Sequence, residues 1–356
     1  VKVEKSFVEM MTSQKSLKGV KITGVGGAVP PTIIMNDALT QLVDTSDEWI
    51  TSRTGIKQRH VLSGDETLSD LGVQAAKQAV AQAGVDPATI GMVIVATTTP
   101  DERYPAMAAR VQTGIGAVNA SGYDIALACT GFAAALITAE QFLRTGFHKR
   151  ILVIGADAHT RVMDWSDRNT CVLFGDGAGA VLLESTELEN DAFLACDMNL
   201  DGAKANELHA DHIVNNCPLV PQASARSPYV QMNGREVYKF AVAVVMNSIL
   251  RTLENCNKTI EDIDYLILHQ ANIRIMESMT ERLGIPPEKM IVNLQRYGNT
   301  SAATIPLALN EAVLDGRIKT GSTVMICGFG GGLSWASSCF KWGGPTLVAT
   351  AKQTNG

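Results

Sequence analysis

Apolar positions recur along this chain with two different periods. From Leu68 to Ala83 they return every three or four residues; Gly84 closes the run and Pro87 follows, which predicts an amphipathic helix. Met92-Val93-Ile94-Val95-Ala96 is an unbroken apolar run of strand length and predicts a strand covered on both faces. Phe132, Leu136, Ala139 and Leu143 again share one helical face, directly after Tyr123 to Cys129. Ile151 to Ile154 predicts a further strand, and the glycine-rich Phe174 to Ala180 leads into another at Val181-Leu182-Leu183. Nearer the start, Val20 to Pro30 predicts a strand entering a glycine-rich turn, and Asp47 to Ile56 a region of turns and short helices.

The second half repeats this plan. Val237 to Leu253 is a long apolar-periodic helix, and Tyr265 to Leu268 an apolar strand placed as Met92 to Ala96 is. Gly298 to Ala303 opens a helix through Leu307 and Ala312, as Cys129 opens its own. Val324 to Cys327 matches Ile151 to Ile154, and Phe329-Gly330-Gly331-Gly332 matches Phe174-Gly175-Asp176-Gly177. Four elements recurring in one order point to an internal duplication, with a period too long for a solenoid. Apolar strands alternating with helices predict sheets covered on both faces, hence two similar α/β halves with a site between them. The expected divisions are an arm over residues 1–18, halves over 19–190 and 191–345, and a tail over 346–356. Asn199 to Val230, which carries charged, Pro and Gly residues and few helical signals, is expected to be a connection over the surface.

Composition narrows the function. A net charge of −6 leaves no general footprint for nucleic acid or anionic membrane, and no apolar run is long enough to span a bilayer. Val1 to Lys18 lacks the apolar core of a secretory signal, and the chain does not start with Met. The seven cysteines are odd in number and scattered, with no Cys-x-x-Cys, which speaks for a reducing compartment and against disulfides or a zinc knuckle. His209, Asp211 and His212 lack the spacing of a helical metal pair and are expected in a surface loop, so no metal site is assigned. Gly24, Gly26 and Gly27 do not form a dinucleotide-binding fingerprint.

Three residues fall at matching places in the halves. Cys129 starts the first central helix, Asn299 starts its duplicate, and His269 ends the strand Tyr265 to Leu268. A thiol at a helix start is expected to have a lowered pKa and act as a nucleophile toward a thioester. A neutral imidazole and an amide both donate hydrogen bonds to a developing oxyanion. Gly331, inside a run of three glycines, offers an N–H that with that of Cys129 makes a second oxyanion site.

With these pieces, the chain resembles the β-ketoacyl-acyl-carrier-protein synthase III family of the thiolase-like superfamily. The resemblance covers Val20 to Trp342 and rests on Asp47 to Ile50, Arg53 to Ile56, Ala128 to Phe132, Phe174 to Ala180, His269 to Asn272, Gly298 to Ala303 and Phe329 to Trp335 together. It implies a five-layered αβαβα fold, a homodimer and a Cys129–His269–Asn299 triad. It also implies that an acyl-CoA primes the enzyme, as substrate rather than cofactor, and that malonyl-acyl-carrier protein extends the chain. Trp49, Arg53, Arg168, Gly234, Tyr238, Ala271 and Asn272 are the implied CoA contacts, with Trp49 and Arg168 sandwiching the adenine. Lys239, Gln270 and Arg274 are the implied carrier-protein contacts. Tyr104 (lent across the dimer), Met107, Leu173 and Phe329 are the implied acyl pocket, with a bulky Tyr104 favouring acetyl-CoA.

Thiolases replace the asparagine by a second cysteine and elongating ketosynthases by a second histidine, so Asn299 speaks against both. Plant-type polyketide synthases share the three residue types but fit the Gly298 to Ala303 motif less well. A synthase III relative of secondary metabolism, making a starter condensation or a plain acyl transfer, remains the alternative. A papain-like protease has the same Cys, His, Asn order, but its local cysteine pattern is absent. A non-catalytic CoA-binding protein would not need the triad. The location implied is cytoplasmic, or the plastid stroma in a photosynthetic eukaryote.

Overall fold

A computed structural model describes residues 17–211, 217–221 and 227–347. The proposed arm up to residue 16, the tail from 348, and His212 lie outside these residues. Nine strands form two sheets. β1 (Gly19–Ala28), β2 (Met92–Ala96), β3 (Ser121–Ile125), β4 (Arg150–Ala158) and β5 (Asp176–Thr186) make the first, in the order β1-β5-β4-β2-β3. β6 (Phe193–Leu200), β7 (Tyr265–Leu268), β8 (Thr323–Gly330) and β9 (Ser334–Lys341) make the second, in the order β6-β9-β8-β7.

The duplication is visible in the pairing. β2 and β4 are parallel, as β7 and β8 are; β4–β5 and β5–β1 are antiparallel, as β8–β9 and β9–β6 are. Only β3 lacks a full counterpart. Its place beside β7 is held by a single parallel bridge, Leu266 to Met290.

Seven helices matter here: α1 (Asp47–Thr54), α2 (Leu68–Ala83), α3 (Met107–Ile115), α4 (Gly131–Arg144), α5 (Gly234–Asn255), α6 (Ile273–Leu283) and α7 (Thr304–Leu314). Three apolar clusters define five layers. One joins α2 and α3 to the outer face of the first sheet, and one joins α5 and α6 to the outer face of the second. The largest joins both inner faces to α4 and α7. The two middle helices are buried nearly all round, as a helix between two sheets must be. None of the described helices is long and apolar enough to cross a membrane.

Element ends follow local chemistry. α2 begins at Thr67, whose side chain accepts from the Asp70 N–H at 3.1 Å, and stops at Gly84 with φ of 66°. Its buried stripe Leu68, Leu71, Ala75, Ala79 is the one the periodicity predicts.

Three expectations need correcting. Gly24, Gly26 and Gly27 lie within β1 rather than in a turn. Their purpose is close approach: a Cβ on Gly24 would sit 2.0 Å from Ala79 O, and one on Gly26 2.1 Å from Ala75 O. Asp176 to Ala180 is likewise already strand, with small residues because α7 crosses it; a Cβ on Gly179 would meet Pro306 at 2.7 Å. The Asn199 to Val230 stretch is not only a surface excursion, since Leu208 packs against Phe174 and Val230.

Gly26→Ala drives a methyl group into the backbone of α2, which cannot yield as a flexible side chain does. The expected loss is about 3 kcal/mol, the upper end of the usual overpacking cost, in urea unfolding. A change under ~1 kcal/mol would show that α2 slides freely on β1.

Candidate active site

Cys129, the candidate nucleophile, stands on a strained turn. After β3, residues Ala128–Thr130 form a 3-10 turn that opens α4, with Ala128 at φ of 43°. The second half has the same turn, Ser301–Ala303, opening α7, with Ser301 at φ of 51°. Left-handed backbone at a residue with a Cβ is costly, so its presence at both positions marks a shared constraint. The register corrects the expected symmetry. Ser301 matches Ala128 and Ala302 matches Cys129; Asn299 lies before the turn and is not the counterpart of the cysteine.

Cys129 is 6% exposed, and only glycine fits opposite it: a Cβ on Gly330 would lie 2.8 Å from the Cys129 Cβ. Ser301 Oγ lies 3.3 Å from Sγ. The expectation of a lowered pKa does not hold in this structure. Burial pushes the thiol up to about 12 against the opposing hydrogen bond of Ser301, and the charge of Asp157 adds to the rise. Desolvation outweighs the helix start because the sulfur is enclosed rather than open to water at the helix end.

His269 follows β7, its N–H donating to Cys327 O at 2.9 Å. The ring meets Phe329 edge-on, with centroids 5.2 Å apart. Burial, helped by the field of His159, pushes its pKa down to about 3, so the imidazole is neutral. Thr304 Oγ1 lies 2.8 Å from both His269 Nδ1 and Ser301 O. The hydroxyl has one proton, and its position sets the ring tautomer. Given to Ser301 O, it makes Nδ1 the ring donor and leaves Nε2 with a lone pair. Turned to Nδ1, it leaves the ring proton on Nε2.

Asn299 is held by its backbone between Leu173 O and the Gly175 N–H, at 2.9 and 3.0 Å. Its Oδ1 accepts from the Ser301 N–H at 2.9 Å. The amide orientation is therefore settled: among the described residues no acceptor takes Nδ2, which is left for the cleft.

Cys129, His269 and Asn299 share a cleft of about 650 Å³. Its inner wall includes Leu173, Phe174, Leu208 and Phe329. Its mouth includes Trp49, Arg53, Gly234, Tyr238, Ala271 and Asn272, which are the implied CoA contacts. Asn272 also caps α6 through the Arg274 N–H and donates to Arg53 O at 3.1 Å. Arg168 stacks on Trp49, 4.8 Å from the ring centroid, and donates to Asp44 O. A base between two faces needs about 7 Å, twice a van der Waals contact. The implied adenine slot is therefore closed in this structure and opens only if Arg168 turns away.

Other implied residues lie elsewhere. Met107 is buried between α2 and α3 against Gly72, outside the cleft, because the start of α3 faces the outer core. Gln270 is fully buried and cannot meet a carrier protein. It donates to Leu268 O and Ile291 O and accepts from the Asn293 N–H, which anchors the end of β7. Lys239 is exposed and paired with Glu236, while Arg274 lies at the mouth and donates to Ser52 O. Tyr104 is 84% exposed, away from the cleft of its own chain. Gly331 starts the hairpin after β8, where Gly330 is the neighbour of Cys129. Ser301 and Thr304 were missed as site residues; the only sequence signal was the motif that contains the first. Among the described residues no group of three or more metal-ligating side chains forms.

Comparison with known proteins places this geometry. Residues 123–202 match the family model described as 3-oxoacyl-[acyl-carrier-protein (ACP)] synthase III, and residues 253–342 match its C-terminal model. The β-ketoacyl-[acyl-carrier-protein] synthase III of Synechocystis is 48% identical over 91% of this chain and 98% of its own. The crystal structure of 3-oxoacyl-[acyl-carrier-protein] synthase III from Aquifex aeolicus superposes with a TM-score of 0.84 at 42% identity, covering 91% of this chain and all of that one. The priming β-ketosynthase of the R1128 polyketide pathway superposes at 0.85 with 32% identity, covering 93% and 98%.

The buried imidazole makes a prediction about acid stability. Folded His269 stays neutral down to about 3, whereas its unfolded value is 6.5. Between those values the unfolded chain binds the extra proton, so stability should fall as pH falls. This group alone contributes roughly 1.4 kcal/mol per pH unit. Urea unfolding of the protein and of His269→Gln between about pH 4.5 and 6.5 measures it. Equal slopes would show that His269 is charged when folded.

Proposed function

The chain belongs to the 3-oxoacyl-[acyl-carrier-protein] synthase III family, and from that premise we propose that it catalyses the initiating condensation of fatty acid synthesis. A short acyl-CoA, acetyl-CoA foremost, loads Cys129. Malonyl-acyl-carrier protein then loses CO2 and attacks, giving 3-oxoacyl-acyl-carrier protein. The observation that carries this reading is the meeting of Cys129, His269 and Asn299 in one cleft, held by a single turn.

In the first half-reaction the Cys129 sulfur attacks the acyl carbonyl, and the thiol proton passes to the departing CoA sulfur. Burial favours the neutral forms of both Cys129 and His269 at rest, so the thiol proton is lost in the course of this half-reaction. Ser301 Oγ is positioned to donate to the sulfur as charge develops there. The Cys129 and Gly331 N–H groups are the proposed oxyanion donors of this step.

In the second half-reaction the malonyl C–C bond breaks and its electron pair becomes an enolate. The thioester oxygen receives hydrogen bonds from Asn299 Nδ2 and from His269 Nε2–H, the tautomer in which Thr304 donates to Nδ1. The enolate carbon bonds to the acyl carbon, and the Cys129 sulfur leaves as a thiolate that takes a proton from water to restore the thiol. No charged donor is required, and burial keeps the imidazole from becoming one.

The nucleotide end of CoA is assigned to Trp49, Arg53 and Arg168, and the pantetheine arm to Ala271 and Asn272. The carrier protein is assigned to the exposed cations Arg274 and Lys239. Tyr104 reaches an acyl pocket only from a second copy of the chain, which is the reason for proposing a homodimer. The proposed location is the cytoplasm, or the plastid stroma of a photosynthetic eukaryote.

Asn299→Ala should keep Cys129 acylation, seen by mass spectrometry, while slowing CO2 release about a hundredfold or more. Equal loss in both half-reactions would contradict the division of labour. Thr304→Val leaves a buried ring nitrogen unpaired and should slow CO2 release roughly tenfold to a hundredfold, with Thr304→Ser restoring most of the rate. If Val and Ser behave alike, the hydroxyl does not set the tautomer.

A further inference from the structure

Arg59 is a buried cation that bonds to no carboxylate among the described residues. It stands in the middle of the short strand Gln58–His60 and is 0% exposed. Burial pushes the guanidinium down to about 10, so it keeps its charge at neutral pH. Its bonds go to neutral oxygens. Nη1 donates to Ile34 O at 3.2 Å, and Nη2 donates to Asn36 Oδ1 and to Val172 O, both at 2.9 Å. Nε finds no partner. A buried charge is expensive, and an apolar side chain of similar volume is often no less stable in such a place. What the guanidinium holds is therefore the informative part.

On one side it holds the wall of the cleft. Val172, Leu173 and Phe174 line that wall, and the same segment grips Asn299: the Asn299 N–H donates to Leu173 O at 2.9 Å, and its carbonyl accepts from the Gly175 N–H at 3.0 Å. The bond from Arg59 fixes the segment one residue before the carbonyl that holds Asn299. The arginine also packs beside the grip. A Cβ on Gly175 would lie 3.1 Å from the Arg59 Cβ, and one on Gly298 3.4 Å from it. On the other side the guanidinium is anchored. Asn36 is 1% exposed and turns its Oδ1 to Arg59, because its Nδ2 donates to Ile56 O at 2.7 Å and to Asp47 Oδ1 at 2.8 Å. Asp47 lies in the first turn of α1. An unbroken polar chain thus runs from Asp47 through Asn36 and Arg59 to Val172, and every link is a bond to a group that is itself held.

We infer that Arg59 is a positioning residue of the condensation step: it fixes the Val172 to Gly175 segment, and through it the Asn299 amide, where the enolate oxygen forms. This rests on the reading that Asn299 stabilises that enolate. The amide must meet an oxygen that becomes negative only as CO2 leaves, and a misplacement of about 1 Å in such a group costs up to about a hundredfold in rate. Arg59 touches neither substrate nor reacting atom and acts through Asn299 alone. Cys129 is held separately, by Ser301 and by the room that Gly330 leaves, so acyl loading depends on Arg59 far less.

The test is a cycle of four proteins: unmodified, Arg59→Met, Asn299→Ala and the two changes together. CO2 release from malonyl-acyl-carrier protein and loading of Cys129 from saturating acetyl-CoA are measured in each. Arg59→Met should slow CO2 release about tenfold while loading stays within about threefold. In the Asn299→Ala background the same change should cost less than about twofold, since the amide it positions is gone. Unchanged CO2 release, a full loss in both backgrounds, or an equal loss in loading overturns the inference and leaves Arg59 a packing role only. Arg59→Lys keeps one donor for Val172 O and should recover part of the rate. Where Arg59→Met does not fold, Arg59→Lys takes its place in the cycle: a loss that vanishes beside Asn299→Ala supports the inference, and one that persists overturns it. If Asn299→Ala alone leaves CO2 release unchanged, the proposed role of Asn299 falls, and this inference with it.

Discussion

One left-handed residue, Ser301, holds the site together. Its N–H fixes the Asn299 amide, its carbonyl shares the Thr304 hydroxyl with His269, and its own hydroxyl touches the Cys129 sulfur. Three groups from distant parts of the chain are thus positioned by one turn. The strained φ costs of order 1–3 kcal/mol and persists because the surroundings allow nothing else. Asp157 grips the next N–H, and Gly155 leaves room for Ala302 O, which would lie 2.2 Å from any Cβ there. The duplicated turn at Ala128 is held in the same manner: Gly328 leaves room for Cys129 O, and Ser334 bonds Thr130.

Burial sets the electrostatic character of this site. Two sheets and two middle helices exclude water from the inner end of the cleft, so neither Cys129 nor His269 carries charge at rest. Neutral donors in a dry site need no reorganisation when negative charge appears, and they do not tie up the substrate beforehand. The same exclusion makes every unpaired polar atom expensive, which is why Gln270 is fully bonded.

The mouth is built on different terms. Trp49, Arg168 and Arg53 are stacked and partly exposed, where a guanidinium on an indole gains about 0.5–1 kcal/mol. So weak a closure yields to a ligand that offers its own flat face and phosphates. The cleft therefore joins a rigid chemical end to an adjustable binding end.

The sequence by itself determined the architecture and picked out three candidate residues that line one cleft. Unbroken apolar runs placed β2 and β7, three-to-four periodicity placed α2 and α4, and the repeated order of elements disclosed the duplication, because these signals are local in the chain. Cys129 and His269 stood out as candidates from their places at element ends, whereas Asn299 was picked by a symmetry that the backbone does not keep. What only the tertiary structure decided depends on surroundings assembled from both halves. The thiol pKa rises because the sulfur is enclosed by residues distant in the chain, Gly330 among them, and this burial outweighs the opposing hydrogen bond of Ser301. The true counterpart of Cys129 is Ala302, a match of backbone angles that side-chain identity conceals. Gln270 and Met107 proved internal, and the glycines of β1 proved to be contact points for a helix, since burial and close approach are properties of neighbours in space.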